Sequence, residues 1–298
     1  MPEVLIPVGP GDRAEWVERT LTSAVAISDK VTVYDNSERE DLRGIIEKFN
    51  VKHVVDRRMR KVNMAMLRNR LLSLATEDLV IMMDSDVVIK SAKSLLSRVA
   101  EQGYAYTWMH YAYTEEELGR PRSPGEENPN LGCAAINLKD VKEIGMFDEK
   151  YERDEDIWLY SKLKHSGKRV GPVEERCLHL NTSHLRKDLS SSLREARRNL
   201  WRSKYDMMMV FDGLADFTFL TGYSYFGSYY VIGLLSALIP LASLLYIPVI
   251  GYGVKYYGGV KEWAYNLIPG LALAISLPYG LCWNLLKMRS RRKGGVTP

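Results

Sequence analysis

Over the first hundred residues, short apolar runs alternate with stretches of helical periodicity, and few folds accept that rhythm. Residues 4–8, 31–34, 51–55 and 79–83 read as strands, while residues 14–27, 42–49, 64–75 and 92–100 carry apolar side chains at helical spacing. Strands separated by helices cannot close as hairpins, so they line up in parallel with helices on both faces. The alternation therefore predicts an α/β fold with a Rossmann-like, mostly parallel sheet. Open sheets of this kind bind ligands beyond the carboxyl ends of their strands.

The last third abandons the pattern: residues 217–254 contain no charged side chain, and neither do residues 263–286. Each run is long enough to cross a bilayer, which takes about 20 residues. Within the first, residues 229–252 are the expected membrane core. Tyr223, Tyr225, Tyr229, Tyr230, Tyr252, Tyr256, Tyr257, Trp263, Tyr265 and Trp283 crowd the ends of both runs, where aromatic rings suit the water interface. Pro240, Pro248, Pro269 and Pro278 predict kinks. Arg186, Lys187, Arg194, Arg197, Arg198, Arg202 and Lys204 precede the first run, and Lys287, Arg289, Arg291, Arg292 and Lys293 follow the second. Only Lys255 and Lys261 lie between. This bias predicts a multi-pass cell-membrane protein with two spans and both chain ends in the cytoplasm. Ahead of the first run, Leu189, Leu193, Ala196, Leu200, Trp201, Tyr205 and Met208 recur at helical spacing opposite the basic residues. They predict a helix in the headgroup layer, the alternative being a helix packed on a soluble core. The expected domains are a cytoplasmic α/β domain over residues 1–185, an interfacial helical linker over 186–216, and a two-helix membrane region with a basic tail over 217–298.

Composition sets outer limits. With 298 residues, 46% hydrophobic and 26% charged, the chain can build a core of ordinary size and is no disordered tail. A net charge of +4 gives no nucleic-acid surface. Cys133, Cys177 and Cys282 lack metal-ligand spacing and fit a reducing compartment. Met1-Pro2-Glu3 lacks the basic start of a signal peptide, so the α/β domain is expected to stay cytoplasmic.

Three stretches carry candidate chemistry. Asp84-Ser85-Asp86 closes the strand over residues 79–83, and residues two apart on an extended chain face the same side. Two carboxylates so placed suit a hard cation such as Mg²⁺ or Mn²⁺; an acidic turn is the plainer alternative. Gly9-Pro10-Gly11-Asp12-Arg13-Ala14 follows a strand and opens a helix in the pattern G-x-G-x-x-A, with Asp35 further on, which spells an NAD-binding oxidoreductase. Against that reading, Pro10 removes a backbone donor and Asp12 brings negative charge toward a pyrophosphate. Asp35, in Tyr34-Asp35-Asn36-Ser37, can instead hydrogen-bond a nucleobase or ribose. Asp154-Glu155-Asp156 precedes a helical stretch over residues 157–165; clustered acids can raise one another's pKa, or simply suit the helix dipole. Residues 115–130 turn polar, with Pro121, Pro124, Gly125 and Pro129, and predict a mobile loop over the site.

In chain order, the strand over residues 5–8, Asp35-Asn36-Ser37, Arg68-Asn69, Asp84-Ser85-Asp86 and Asp154-Glu155-Asp156 resemble family 2 glycosyltransferases, over roughly residues 4–184. Gly145-Met146-Phe147-Asp148-Glu149, followed by Glu155-Asp156 and Gly167, strengthens the likeness. The resemblance implies a GT-A fold, a nucleotide-diphosphate sugar donor such as a UDP- or GDP-sugar, Mn²⁺ or Mg²⁺, and inversion at the anomeric carbon. It places Pro7, Val8, Asp35, Arg68, Asn69, Asp84, Ser85 and Asp86 at the donor. Asp84 and Asp86 would carry the metal, with His179, or alternatively His184, as a third ligand; a hydrogen-bonded core histidine is the plainer reading. Asp156 would be the general base, and Glu155, Arg120 and Arg122 would face the acceptor. Arg197-Arg198-Asn199-Leu200-Trp201 is similar to the QxxRW helix of processive relatives, but Arg197 replaces Gln and Leu200 replaces Arg, which speaks against processive polymerisation. Placement beside a membrane is similar to that of dolichol-phosphate mannose synthases and implies a lipid-linked acceptor. A catalytically silent membrane module that binds nucleotides is the alternative from another class.

Overall fold

The computed structural model describes residues 1–56, 63–120, 128–185, 188–215 and 220–294. The chain divides into two compact units, Met1–Thr182 and Ser183–Pro298.

The first unit holds one eight-stranded sheet. Its strands are β1 (Glu3–Val8), β2 (Val31–Asp35), β3 (Lys52–Val55), β4 (Leu79–Met83), β5 (Val87–Val88), β6 (Tyr104–Ala112), β7 (Cys133–Asn137) and β8 (Arg169–His179), in the spatial order β3-β2-β1-β4-β7-β6-β8-β5. The pairs β1–β2, β2–β3, β1–β4 and β6–β8 are parallel, as the alternation predicts, while β4–β7, β6–β7 and β5–β8 are antiparallel. The helices of this unit are α1 (Ala14–Ile27), α2 (Glu40–Ile46), α3 (Met64–Ser73), α4 (Lys93–Ala100), α5 (Leu138–Glu143) and α6 (Glu155–His165). The core joins Val4, Ile6 and Val8 of β1 to Val17 and Leu21 of α1, Leu42 and Ile46 of α2, and Ile81 and Met83 of β4. Burying such side chains contributes about 1.5–3 kcal/mol each. The sheet therefore forms a rigid floor whose central strand ends, at Val8 and Met83, open side by side. The polar stretch after β6 is not uniformly loop: Glu115–Gly119 forms a 3-10 turn, its start capped where the Thr114 hydroxyl accepts the Glu117 N–H at 3.3 Å.

The second unit is helical: α7 (Leu189–Phe211), α8 (Thr221–Leu238), α9 (Tyr246–Tyr257), α10 (Val260–Ile275) and α11 (Leu277–Gly294). Of the two expected spanning helices, one candidate is found among the described residues. The first charge-free run does not form one helix, because α8 stops at Leu238, and Pro240, which cannot donate to the preceding turn, opens a 3-10 turn over Pro240–Leu245 before α9 begins. Among the described residues, one segment, Val260–Met288, is long and apolar enough to cross a membrane, and it is broken at Ser276 ahead of Pro278. Helix α7 is capped by Asp188, whose carboxylate accepts the Ser191 N–H at 2.7 Å while the Ser191 hydroxyl accepts the Asp188 N–H at 3.2 Å. Its interior is inverted. Ser192, Asn199, Ser203 and Asp206 are buried, whereas Leu189, Leu193, Leu200 and Trp201 are exposed. Asn199 Nδ2 donates to the Pro269 carbonyl at 3.0 Å, Ser203 Oγ to the Ser276 carbonyl at 2.8 Å, and Asn284 Nδ2 to the Lys204 carbonyl at 2.9 Å.

Candidate active site

The site lies where β1 and β4 end. A cavity of about 210 Å³ is lined by Pro7 of β1, Gly9 just after it, Asp12, Asn36 after β2, Met64 and Leu67 of α3, and Asp84, Ser85 and Asp86 after β4. The first loop is tied to the acidic turn by a residue that sequence reasoning passed over as a candidate. Asp12 Oδ2 accepts the Gly9 N–H at 2.7 Å and the Ser85 hydroxyl at 2.6 Å. Burial pushes the Asp12 carboxyl above its ordinary range, against the pull of those two bonds. The same contact defeats the dinucleotide reading, since the Gly9 N–H that would meet a pyrophosphate already serves Asp12, and a carboxylate occupies the anion's position.

Arg68 is the electrostatic centre. It is 2% exposed on α3, its Nη2 donates to Asp84 Oδ1 at 2.8 Å, and its Nε stands 3.8 Å from Glu155 Oε1. Burial works against its charge, but Asp84 and Glu155 together hold it protonated well above its ordinary range. Its Nε and Nη1 make no hydrogen bond among the described residues, so a buried cation keeps donors in reserve. Burial also pushes Glu155 above the usual carboxylate range, with Arg68 pulling the other way. Asp156, in the first turn of α6, turns its Oδ1 onto its neighbour's amide, Ile157 N–H, at 2.8 Å. Asp154 enters the helix with φ at 60°, a left-handed backbone that Asp tolerates better than most residues.

The acidic turn rests against a glycine that the sequence did not mark. The Asp84 N–H donates to the Gly132 carbonyl at 3.0 Å, and a Cβ built on Gly132 would sit 2.3 Å from both Asp84 Oδ2 and the Tyr111 hydroxyl. Only glycine lets the carboxylate lie there. Asp86 faces β8, where its Oδ1 stands 3.7 Å from His179 Nε2. The His179 ring meets Tyr111 edge-on at 4.5 Å and Tyr113 at 5.5 Å. Burial lowers its pKa below the ordinary 6.5, keeping the imidazole neutral and able to ligate.

For a divalent cation the donors fit in chemistry but are not drawn together. Asp86 offers oxygen and His179 nitrogen, at a spacing too long for a hydrogen bond and near the roughly 3 Å kept by adjacent ligands of one ion. Asp84 instead turns Oδ1 to Arg68. Accordingly, no group of three or more His, Cys, Asp or Glu converges on a metal position among the described residues.

Other expected residues fall elsewhere. Asp35 is buried and spent inside the fold, accepting the Ser37 N–H at 2.8 Å with His53 Nε2 at 3.2 Å; its neighbour Asn36 lines the cavity instead. Val8 is buried, and its carbonyl accepts the Asn36 N–H at 3.0 Å, which sets that neighbour. Asn69 does not face the cavity floor but clips the loop before α6: its side chain exchanges two hydrogen bonds, each 2.9 Å, with the Phe147 backbone. Arg120 is exposed, and its carbonyl accepts Arg176 Nε at 3.1 Å. Arg122 and the His184 side chain lie outside the described residues.

Comparison with known proteins agrees with this geometry. The family described as Glycosyl transferase family 2 matches residues 5–153. A mannosyltransferase from Pyrobaculum calidifontis, solved in complex with GDP-Man and Mn²⁺, is similar in structure, with a TM-score of 0.61 and 15% identity over 91% of this chain and 86% of that one. TarS from S. aureus, over its residues 1–349, gives a TM-score of 0.49 at 14% identity, covering 94% and 92% of the two chains. GalNAc-T7, solved with UDP, GalNAc and Mn²⁺, gives 0.49 at 13% identity over 67% of this chain and 51% of that one. No curated protein matches the sequence.

Proposed function

The chain belongs to glycosyltransferase family 2, with a GT-A fold and a nucleotide-sugar donor, and from that premise we propose an inverting transfer to a lipid-linked acceptor of the polyprenyl phosphate type at the cytoplasmic membrane face. The observation that carries the reading is the buried Arg68 beside Asp84 at the strand ends, with donors in reserve next to an acid-lined cavity. Asn36, Pro7 and Gly9 present the wall that a nucleoside would meet, and Arg68 Nη1 is the donor within the fold for a diphosphate oxygen. Asp84, Asp86 and His179 would hold Mn²⁺ or Mg²⁺, which when bound neutralises the charge of a departing nucleoside diphosphate.

Asp156 takes the proton of the acceptor's attacking oxygen, a role that contributes about 10²–10⁴-fold. Glu155 stays beside Arg68, where its burial keeps water from the acid end of α6. The lipid acceptor is supported by the company of the site on the chain: the second unit exposes Tyr230 and several leucines along the charge-free helix α8 and the turn that follows it. The donors of the solved neighbours, GDP-Man and UDP with GalNAc, set the panel to try. Purified protein should transfer sugar from one of these nucleotides to polyprenyl phosphate, lose activity on chelation, and fall by two orders of magnitude or more as Asp156→Asn. Turnover by Asp156→Asn equal to the unaltered protein removes the base, and binding without transfer or donor hydrolysis sinks the reading.

A further inference from the structure

Helices α8 and α9 run antiparallel. Tyr229 of α8 meets Tyr246 of α9, whose hydroxyl donates to the Tyr229 carbonyl at 2.9 Å, and further from the turn Tyr225 reaches the Val249 carbonyl at 3.2 Å and the Tyr252 ring at 5.6 Å. The two helices close as a hairpin whose tip is the turn over Pro240–Leu245. Gly253 permits the close approach, since a Cβ there would stand 2.6 Å from the Trp263 ring and collide with the Tyr225 hydroxyl. The tip is apolar and bare: Leu238 is 82% exposed, and Leu234 and Leu241 are each 72% exposed, with Ile247 beside them. Water is a poor neighbour for that many leucines on one projecting turn.

The hairpin has the dimensions of half a bilayer. From the tyrosine level at Tyr229 to the end of α8 at Leu238, the helix rises about 14 Å at 1.5 Å per residue. A hydrocarbon core is about 30 Å thick, so one leaflet offers about 15 Å. The base is ringed by tyrosines, with Tyr225 and Tyr229 hydroxyls 2.9 Å apart and Trp263 Nε1 donating to Tyr229 at 3.3 Å, the residue types that favour the headgroup boundary. Helix α10 meets α8 at this base, where Gly270 lies against Phe226 and Tyr230 donates to the Leu271 carbonyl at 2.9 Å. Between the three helices, at the level of the tyrosines, lies a groove of about 680 Å³, walled by Tyr229, Tyr246 and Trp263 together with Gly233, Leu267 and Leu271. An acyl chain fills such a space where water finds few partners.

The long α10–α11 segment is held out of the hydrocarbon by its company. Helix α7 runs beside it from Asn199 at Pro269 to Lys204 at Asn284 and carries Arg194, Arg197 and Arg202. Lys204 and Lys287 both sit over the Trp283 ring, at 4.3 Å and 4.7 Å. A bundle that bears these cations belongs among anionic headgroups.

We infer that the chain is monotopic: the α8–α9 hairpin dips into one leaflet of an anionic phospholipid bilayer and returns to the side it entered, while α7, α10 and α11 lie at the surface. This goes beyond the transferase reading and does not rest on it.

The test uses the full chain with Cys282, the exposed native thiol, replaced as Cys282→Ser. Single cysteines are placed as Ser190→Cys before the hairpin, Lys261→Cys after it and Leu241→Cys at its tip. Inside-out membrane vesicles from cells expressing each variant are treated with a membrane-impermeant maleimide. Ser190→Cys and Lys261→Cys should label to the same extent without detergent, and Leu241→Cys should label only after detergent. Protection of Lys261→Cys while Ser190→Cys reacts means that the hairpin crosses, and overturns the inference; so does labelling of the tip in intact vesicles. In parallel, the double variant Leu238→Asp, Leu241→Asp should float with phosphatidylcholine–phosphatidylglycerol vesicles at least tenfold less than the unaltered protein, while its melting curve stays the same. Unchanged flotation also refutes the anchor. Both readouts are independent of sugar transfer, so their failure leaves the transferase reading standing.

Discussion

Replacing Gly132 by alanine tests the site at its tightest point. The new methyl would begin 2.3 Å from Asp84 Oδ2 and 2.3 Å from the Tyr111 hydroxyl, against the roughly 3.4 Å of ordinary contact, so both must retreat by about 1 Å. Tyr111 is packed against the His179 ring at 4.5 Å, which resists its retreat, and the shorter side chain that moves with it is that of Asp84. Its displacement stretches the 2.8 Å bond from Arg68 and carries the carboxylate away from the cavity floor. Overpacking of this kind costs about 1–3 kcal/mol of stability. Misplacing a positioning group by about 1 Å costs on the order of 10²-fold in rate, equivalent to about 2.7 kcal/mol at the transition state. Gly132→Ala should therefore melt a few degrees lower, while kcat/KM for the sugar nucleotide falls about a hundredfold. Gly171→Ala, whose methyl would meet its nearest atom at 3.5 Å, serves as the control and should keep its rate. A folded Gly132→Ala with kcat/KM within threefold of the parent would show that Asp84 need not lie where it does.

Three further outcomes follow from the geometry. Arg68→Ala strands Asp84 and Glu155 without their shared cation, a loss of about 3–5 kcal/mol for a broken buried pair; an unchanged denaturant midpoint would show the pair to be dispensable. Asn69→Ala removes both bonds to Phe147 and should destabilise by about 1–3 kcal/mol while leaving donor affinity within twofold, which urea unfolding and donor titration read separately. The backbone N–H of Ser191 holds the Asp188 carboxyl below its ordinary 3.8, so across that gap the folded chain binds fewer protons than the unfolded one. The cap of α7 is complete above 3.8 and is lost as pH falls through the lowered value, so protection of the Ser191 amide, taken against its intrinsic exchange rate, should fall on acidification in the parent but not in Asp188→Asn.

The strand-and-helix rhythm of residues 4–100 was readable because each buried strand is a nearly continuous apolar run, and β1 and β2 are buried along their whole length. Past residue 100 the signal fades for a physical reason. β6 mixes His110 and Thr107 with tyrosines, and β8 holds Gly171, Pro172 and charged side chains, so neither shows the run of a parallel core strand. The acidic turn and Arg68 were legible as types at strand and helix positions. Asp12 and Gly132 were not, because their roles depend on a loop folding back across long sequence separations. Asp35 looked like a ligand residue from its place at a strand end, but His53 on the neighbouring strand draws its carboxylate into the fold. The charge-free run was correctly apolar, yet composition cannot tell one long helix from two shorter ones; Pro240 marks the break by interrupting the ladder of backbone bonds.

Helix α7 joins α10 and α11 through two asparagines and two serines rather than through leucines. Cohesion of that sort owes little to the expulsion of water, and hydrogen bonds strengthen as the local dielectric falls. A detergent micelle or lipid disc should thus tighten these three helices, whereas the same surroundings would loosen a core built on leucine contacts.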